Sequence, residues 1–167
     1  MPSQEDLDSV NEVTGFHCTS HDSVEKIIRN GFDERLSSKG FYGAGIYFST
    51  TAQKADQFAF GYSKQKCPAH DIEFCKICER NILICRINLG KSMKACRPWV
   101  DDRTIETQWG PVVRYNKNCS WQNRYHGHPP PKYNSVSGVD KDDAKVYAIY
   151  RGNQVYPKYV VRYRHKK

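Results

Sequence analysis

The sequence predicts an α+β fold of mainly antiparallel sheets, with short flanking helices and a small zinc-binding loop. Strand-like residue patterns dominate the chain after residue 80, whereas helical spacing is confined to two short stretches before residue 61. A turn-forming run over residues 151–154 separates the last two strands, which suggests that they pair as antiparallel neighbours. Four Cys and His residues with metal-ligand spacing lie between the helices and the strands.

The length of 167 residues and the 38% share of hydrophobic residues fit a single globular domain. We predict an N-terminal extension over residues 1–13 and one folded domain over residues 14–167. The start of the chain is polar and acidic, and no stretch approaches the roughly 20 apolar residues of a membrane span. These features predict an intracellular protein, cytoplasmic or nuclear, with no membrane partner.

Two short amphipathic helices are predicted before the first long strand. In the first, Asp22 can act as the N-cap with Glu25 as its capping-box partner, and Gly31 provides the stop. Its apolar face holds Val24, Ile27 and Ile28. The second helix starts at Thr50 or Thr51. Its apolar stripe holds Ala52, Ala55, Phe58 and Ala59.

Strands are predicted over residues 83–89 and 146–150, where side chains alternate, and over residues 159–163 at the end of the chain. The segment 94–132 breaks this pattern, because it holds all three tryptophans and a run of three prolines. A loop of that length is unusual inside a compact domain. The segment is either a lid or partner surface, or it carries extra strands such as one over residues 112–115.

The strongest local signal is a C-x2-H-x4-C-x2-C motif over residues 67–78, formed by Cys67, His70, Cys75 and Cys78. Three thiolates and one imidazole are the ligand set that tetrahedral Zn²⁺ prefers. Because the protein fills all four positions, the ion should be structural and not catalytic, holding a loop with few apolar residues. The remaining cysteines lack such spacing and are predicted to be packing residues: Cys18, Cys85, Cys96 and Cys119.

The net charge of +8 is concentrated near the end of the chain, over residues 162–167. This run is either a solvated tail or an arm that binds phosphate. Nucleic acid is therefore an allowed partner but not a favoured one.

Six further runs carry a recognisable pattern: 16–20 (FHCTS), 31–35 (GFDER), 40–49 (GFYGAGIYFS), 81–92 (NILICRINLGKS), 133–138 (YNSVSG) and 147–159 (YAIYRGNQVYPKY). Together with the Cys-His-Cys-Cys motif they resemble the catalytic domain of poly(ADP-ribose) polymerases, and most closely that of tankyrases. The resemblance covers nearly the whole of residues 16–163, except the tryptophan-bearing segment. It implies an ADP-ribosyltransferase fold, with residues 14–167 as the catalytic domain.

The resemblance also implies the substrate and its contacts. NAD⁺ is expected in the cleft, with His17 hydrogen-bonding a ribose hydroxyl and Tyr47 stacking on the nicotinamide ring. Arg35, in the donor loop, belongs to the same binding set. The structural alternative is that His17 and Tyr47 form a buried polar pair that only holds two strands together.

Three positions in the nicotinamide subsite depart from the family pattern. Cys18 stands where the family has glycine; it keeps the backbone groups that grip the nicotinamide amide, and its side chain either crowds the pocket or points away. Ala55 replaces a serine that donates to that amide, which removes a hydrogen bond of about 0.5 to 1.5 kcal/mol. Phe58 replaces a second stacking tyrosine and keeps the aromatic face.

The fourth departure is Val146, where the resemblance places the glutamate of the polymer-forming enzymes. That carboxylate holds the nicotinamide ribose and polarises the acceptor hydroxyl, and valine does neither. Three acidic residues nearby lie outside the matched strand and are not expected to replace it: Asp140, Asp142 and Asp143. The departure argues against polymer extension and permits transfer of one ADP-ribose to a better nucleophile.

We therefore expect an NAD⁺-dependent protein mono-ADP-ribosyltransferase whose acceptor protein the sequence does not specify. Two alternatives stay open at this point. One is a catalytically inactive pseudoenzyme that acts as a binding or scaffolding module. The other is a basic zinc module that binds nucleic acid.

Overall fold

The computed structural model describes residues 11–37, 39–40, 42–60, 66–73, 75–94, 104–107, 110–113, 133–139 and 144–166. The strands are β1 (Glu12–Cys18), β2 (Lys39–Gly40), β3 (Gly43–Ala44), β4 (Ile46–Ser49), β5 (Arg80–Asn88), β6 (Ser92–Lys94), β7 (Thr104–Thr107), β8 (Gly110–Val113), β9 (Ser135–Val139), β10 (Lys145–Ile149) and β11 (Val155–Tyr163). The helices are α1 (His21–Asn30) and α2 (Ala52–Asp56), with 3₁₀ turns at Glu34–Leu36 and Gly152–Gln154.

The largest sheet has seven strands in the order β11-β5-β1-β4-β10-β9-β6. Its neighbours are antiparallel except for β6 and β9, which run parallel, so the sheet is mixed. Two antiparallel ribbons, β2 with β3 and β7 with β8, accompany it. The predicted α+β class with mainly antiparallel strands agrees with this architecture.

The prediction that the last two strands are neighbours is wrong. Both edges of β10 are occupied, one by β4 and the other by β9. The chain turns over Gly152–Gln154 and crosses to the far edge of the sheet, where β11 pairs with β5. A turn sequence specifies a change of direction but not which strand is still free to pair. The last strand also begins earlier than predicted, at Val155.

Helix α1 was predicted correctly in position but not in its cap. The N-cap is Ser20, whose Oγ accepts a hydrogen bond from the Ser23 N–H at 3.3 Å, and Asp22 lies in the first turn. Gly31 ends the helix as predicted, with a φ of 78° that a side chain would strain. Of the predicted apolar face, Val24 is buried, whereas Ile28 is 55% exposed, because only the Val24 side lies against the sheet.

Helix α2 is capped by Thr51, whose hydroxyl accepts a hydrogen bond from the Lys54 N–H at 3.3 Å. The helix is shorter than its predicted stripe, since it ends at Asp56 and the chain continues in turns. Ala55 and Ala59 are buried, but Ala52 is exposed at the start of the helix.

Packing occurs on both faces of the seven-stranded sheet. Face 1, which α1 covers, carries the largest buried cluster: Val24, Phe32, Ile46, Phe48, Leu83, Cys85, Ile87, Leu89, Tyr147 and Ile149. Face 2 carries two smaller clusters. One contains Tyr42, Val136, Ala148 and Tyr150, and the other contains Cys18, Ala55, Ala59 and Ile82.

The tryptophan-bearing segment 94–132 contains strands β7 and β8, which pair as a short hairpin. Its interpretation as a segment with extra strands therefore agrees with the structure where it is described, although the predicted strand lies at Gly110–Val113. The positions of Trp99, Trp109, Trp121, Cys96 and Cys119 lie outside the described residues. In the parts of the chain that the structure describes, no helix is long and apolar enough to cross a membrane.

Candidate functional site

His17 lies at the end of β1, where its ring sits between two phenylalanines on face 1. Its centroid is 5.2 Å from that of Phe32 and 5.4 Å from that of Phe48. The Nδ1–H donates to the backbone carbonyl of Tyr47 at 2.8 Å, which leaves Nε2 as the acceptor of the neutral ring. Burial lowers the pKa of His17, and the Tyr47 hydrogen bond only partly opposes that shift. The imidazole is therefore neutral at pH 7.

Tyr47 anchors the chain segment that precedes it. Its hydroxyl accepts a hydrogen bond from the Tyr42 N–H at 2.7 Å, and the two rings are nearly parallel, with centroids 6.3 Å apart. The Tyr42 carbonyl in turn accepts a hydrogen bond from the Tyr150 hydroxyl at 2.6 Å. The backbone at Tyr42 is thus held on both sides, and the half-buried Tyr47 ring is fixed in place.

His17 and Tyr47 lie on opposite faces of the sheet. Phe16 is registered with Ser49, so Tyr47 shares face 2 with Cys18, while His17 shares face 1 with Phe48. Their link is the hydrogen bond from the His17 ring to the Tyr47 backbone. A ligand that touches both side chains must therefore cross the strand ends and cannot lie on one face.

Cys18 and Ala55, two of the positions that differ from the family pattern, belong to one buried cluster on face 2. They are 4% and 3% exposed, respectively. The Cys18 Sγ lies 3.8 Å from the Tyr163 hydroxyl, so the thiol points toward β11. Burial raises the pKa of Cys18 to about 12, which keeps the thiol protonated at neutral pH. Cys18 is a packing residue, as predicted, and so is the buried Cys85.

Asp56 follows Ala55 directly and holds together a group of polar residues next to the cluster that contains Cys18 and Ala55. Its carboxylate accepts from Arg80 Nη1 at 3.0 Å and from the Tyr163 hydroxyl at 2.5 Å. The other carboxylate oxygen lies 2.9 Å from His165 Nε2. Arg80 is 3% exposed, and its guanidinium lies 4.7 Å from the Phe60 ring centroid. We call Asp56, Arg80, Tyr163 and His165 the Asp56 cluster; it ties α2 to β5 and β11.

Val146, where the resemblance predicts the family glutamate, is half-buried on face 2. It packs with Tyr47 and Met93 against the cluster that contains Ala148. Its registered neighbours are Ser49 on β4 and Gly138 on β9. These neighbours, Tyr47, Met93 and Ser49, are all uncharged. The three nearby aspartates of the sequence lie outside the described residues.

The segment 31–35 is held by a carboxylate that the sequence did not single out. Glu34 accepts a hydrogen bond from the Gly152 N–H at 2.8 Å, and this bond lowers the pKa of Glu34. A Cβ at Gly152 would lie 1.9 Å from the Phe32 carbonyl oxygen, so only glycine permits this approach. Arg35 is exposed and forms two hydrogen bonds with Asp33, at 2.9 and 2.8 Å.

Phe58, the predicted second stacking residue, lies in the turn after α2 and is half-buried. Its N–H donates to the Ala55 carbonyl at 3.0 Å. The sequence-predicted residues thus form two groups in the structure: His17, Tyr47 and Val146 around β4, and Cys18, Ala55 and Phe58 around α2. Arg35 pairs locally with Asp33 and with neither group.

The four predicted metal ligands converge. Their ligand atoms all lie within 4.8 Å of one another. The distances from His70 Nδ1 to the sulfurs of Cys67, Cys75 and Cys78 are 3.5, 3.6 and 3.4 Å. Tetrahedral zinc with ordinary bond lengths requires about 3.6 Å between a nitrogen and a sulfur ligand. The group can therefore hold a tetrahedral ion, with Nδ1 as the ligand atom of His70.

Sequence reasoning missed the Asp56 cluster and Glu34. Asp56, Arg80 and Tyr163 each look like an ordinary charged or strand residue, and they meet only because β11 crosses the sheet. The one available signal was Arg80 at the head of an apolar strand, since a charge there needs a partner. Glu34 carried no comparable signal.

Comparison with known families agrees with this geometry. The family model described as the poly(ADP-ribose) polymerase catalytic domain matches residues 3–165. The match supports a function of the ADP-ribosyltransferase type, for which NAD⁺ is the fitting substrate. Because it spans almost the whole chain, the protein belongs to the family of poly(ADP-ribose) polymerase catalytic domains.

Proposed function

We propose that this protein is an NAD⁺-dependent protein mono-ADP-ribosyltransferase, with residues 14–167 as its catalytic domain. The observation that carries the proposal is the hydrogen bond from His17 Nδ1 to the Tyr47 carbonyl. It fixes the neutral tautomer whose Nε2 is free to accept a hydrogen bond from a ribose hydroxyl. Two residues of the proposed cleft are thus held by the same contact.

In the proposed reaction the bond between the nicotinamide nitrogen and C1′ of its ribose breaks, and nicotinamide leaves with the bonding electron pair. An oxygen of an acceptor carboxylate then forms the new bond to C1′. Tyr47 and Phe58 supply the aromatic surfaces for the nicotinamide ring, and the Cys18 backbone supplies the groups that hold its amide. Arg35 belongs to the donor loop beside them.

The environment of Val146 favours transfer of a single unit. Extension of a polymer uses a ribose hydroxyl, which needs a base or a polarising carboxylate to become a nucleophile. Val146, Tyr47 and Met93 form an apolar group there instead. An acceptor carboxylate is already ionised at pH 7 and needs no such base. The absence of an acid at residue 146 therefore selects against chain growth more strongly than against the first transfer.

We further propose that Cys67, His70, Cys75 and Cys78 bind a structural zinc ion and that the protein is tankyrase-like within its family. The four-ligand set leaves no position open for a substrate or a reactive water. The distances around His70 support this assignment. When bound, zinc would stabilise the loop that leads into β5.

A specific observation favours a second candidate, a pseudoenzyme that retains the fold and serves as a binding module. Cys18 and Ala55 lie in one buried cluster and differ together from the family pattern. The Ala55 side chain offers no hydroxyl to the nicotinamide amide. If these changes remove NAD⁺ binding, the missing acid at Val146 becomes irrelevant.

The test is incubation of the purified chain with NAD⁺ labelled in its adenylate part, with and without added acceptor proteins. We expect monomeric ADP-ribose adducts, released nicotinamide and no polymer. His17→Ala should abolish the adduct, whereas Ile28→Ala, an exposed residue on α1, should leave it unchanged. Absence of both adduct and nicotinamide release would reject the enzyme.

Val146→Glu separates the two candidates. The variant should gain rate or extend the adduct if NAD⁺ already binds productively, because the carboxylate is then the group that limits the reaction. If Val146→Glu stays inert and NAD⁺ does not raise the melting temperature of the wild-type protein, the defect lies in binding and the pseudoenzyme is supported.

A further inference from the structure

Strand β11 is unusually exposed for a strand of the main sheet. Of the eight large hydrophobic side chains that are exposed in the described part of the chain, four lie on this strand: Tyr156, Tyr159, Val160 and Val161. Tyr156 is 68% exposed and Tyr159 is 56% exposed. Isolated exposed hydrophobic residues are ordinary, but a contiguous group is typical of an interaction surface.

The two tyrosines lie side by side on face 2. Tyr156 is registered with Arg86 and Tyr159 with Ile84, which are two positions apart on β5. A β-bulge between Pro157 and Tyr159 keeps both side chains on the same face despite the odd spacing in sequence. Two register positions correspond to about 7 Å along a strand. The surface thus presents two neighbouring aromatic rings.

Positive charge lies beside these rings. From residue 151 to residue 166 the chain has no Asp or Glu, and Lys158, Arg162, Arg164 and Lys166 are exposed. The Lys158 ammonium lies 5.3 Å from the Tyr159 ring centroid. Arg86, the cross-strand neighbour of Tyr156, is paired with Glu12 at 2.7 and 2.9 Å, so its charge is already balanced. Lys158 is therefore the cation that lies against the rings, whereas Arg162, registered with Asn81, is on face 1.

The same strand is poorly suited to pairing with another strand. Pro157 offers no backbone donor, and the bulge interrupts the ladder. Lysine and arginine along an edge are typical features that oppose strand addition, and they also oppose pairing with a second copy of the same strand. The rings and the cations, not the edge, are the features that can bind.

We propose that the surface formed on face 2 by Tyr156, Lys158 and Tyr159 binds single-stranded nucleic acid. Bases stack on the two tyrosines, and a backbone phosphate lies against Lys158. Exposed aromatic rings on a sheet flanked by cations are the combination that binds unpaired bases with little sequence preference. This surface is independent of the NAD⁺ site proposed above, so the failure of one does not bear on the other.

The experiment is a titration of the full chain into a fluorescein-labelled oligouridine 12-mer, followed by fluorescence anisotropy at several salt concentrations. The double variant Tyr156→Ala/Tyr159→Ala should bind at least about tenfold more weakly. The matched variant Tyr156→Phe/Tyr159→Phe keeps both rings and should stay within about twofold. Ile28→Ala, an equally exposed change on α1, should have no effect.

The phosphate contact is tested separately, by the salt dependence of binding. Neutralising this cation, as Lys158→Gln, should reduce the slope of log affinity against log salt by about 0.7. Melting temperatures close to that of the wild type are expected for all variants, because every altered residue is exposed. If the alanine variant unfolds, the proposal is tested by comparing the salt dependence of binding between the glutamine variant and the wild type.

Three results would overturn the proposal. The first is equal affinity of the alanine and wild-type proteins, which would mean that the bases do not stack there. The second is equally strong competition by inorganic polyphosphate, which would indicate a site for charge alone. The third is that the wild type does not bind the oligonucleotide but forms a dimer, and that the tyrosine changes abolish this dimer. That result would assign the surface to self-association.

Discussion

The loop with the four candidate metal ligands and the Asp56 cluster lie in adjacent parts of the chain but are assembled in different ways. The loop takes its four ligands from residues 67–78, and two of its isoleucines, Ile72 and Ile77, are more than half exposed. The Asp56 cluster gathers α2, β5, β11 and the chain beyond β11 around one carboxylate. The four ligands of the loop are close together in sequence. The members of the Asp56 cluster are brought together only when the sheet has formed.

The largest expected effect is the loss of the metal. Chelation of zinc, or the variant Cys75→Ser, should abolish the order of residues 66–78, because zinc contributes roughly 10 to 16 kcal/mol to the folding of such sites. Hydrogen exchange should rise in the loop much more than in β5. Elemental analysis should give one zinc per chain for the wild type and none for the variant.

The control for this prediction is Cys85→Ala, which removes a buried thiol outside the loop. It should reduce stability while keeping one zinc per chain. Full zinc content in Cys75→Ser would contradict the four-ligand site.

The second prediction concerns the assembled region. Asp56→Asn leaves the Arg80 guanidinium, which is 3% exposed, without its anionic partner. Removing one member of a buried ion pair typically costs about 3 to 5 kcal/mol of unfolding free energy. Urea denaturation should show the loss, and the zinc content should stay at one per chain.

Asp33→Asn is the matched control, because Asp33 also pairs with an arginine but at the surface, where Arg35 is 85% exposed. Exposed pairs contribute little to stability. Equal losses for Asp33→Asn and Asp56→Asn would show that the Asp56 cluster is no more than a surface ion pair.

A smaller effect is expected from pH. The pKa of His17 is lowered by burial from the ordinary value of 6.5, so the unfolded chain binds this proton more readily than the folded one. The stabilisation is complete above about pH 6.5 and is lost as the pH falls toward the lowered pKa. The contribution of His17 to the slope of unfolding free energy against pH is at most about 1.4 kcal/mol per pH unit.

The chain has six histidines, so the measurement is a difference between two proteins. Unfolding free energies of the wild type and of His17→Gln should be compared between pH 7.5 and pH 5.5. We expect a shallower decline for the variant. Parallel curves would mean that the His17 environment does not penalise protonation.

The smallest predicted effect concerns the subsite beside Asp56. Ala55→Ser restores the hydroxyl that the family pattern places there, and one hydrogen bond is worth about 0.5 to 1.5 kcal/mol. NAD⁺ affinity, measured by calorimetry, should rise by up to about tenfold. Ala52→Ser, on the exposed start of the same helix, serves as control. An unchanged affinity would remove Ala55 from the proposed NAD⁺ contacts.

The fold was predictable where a pattern is local. The alternation that predicted β5 and β10 is present in both strands, and the end of α1 at Gly31 was correct. The metal group was predicted for the same reason, because spacing alone brings its ligands within reach of one ion. Even the error at the helix cap was small, since Ser20 and Asp22 are both capping residue types.

What could not be predicted depends on pairing between distant segments. The turn before β11 gave no information that both edges of β10 are occupied. Consequently the contacts of Tyr163 and His165 with Asp56 were beyond sequence reasoning. The orientation of Cys18 was left open for the same reason, because it depends on Ala55 and Tyr163. The roles proposed for His17, Tyr47 and Val146 remain predictions.

The long crossing to β11 also sets an order of events during synthesis. Asp56 and Tyr163 are separated by 107 residues, and Cys18 and Tyr163 by 145. At ordinary translation rates the ribosome needs roughly 5 to 20 seconds to make the first of these intervals. Once it has been made, and until β11 follows, β5 has β1 on one side and an open edge on the other, although five of its nine side chains are apolar. The nascent chain is therefore most vulnerable to aggregation, and most in need of a chaperone, at the strand that its last segment will cover.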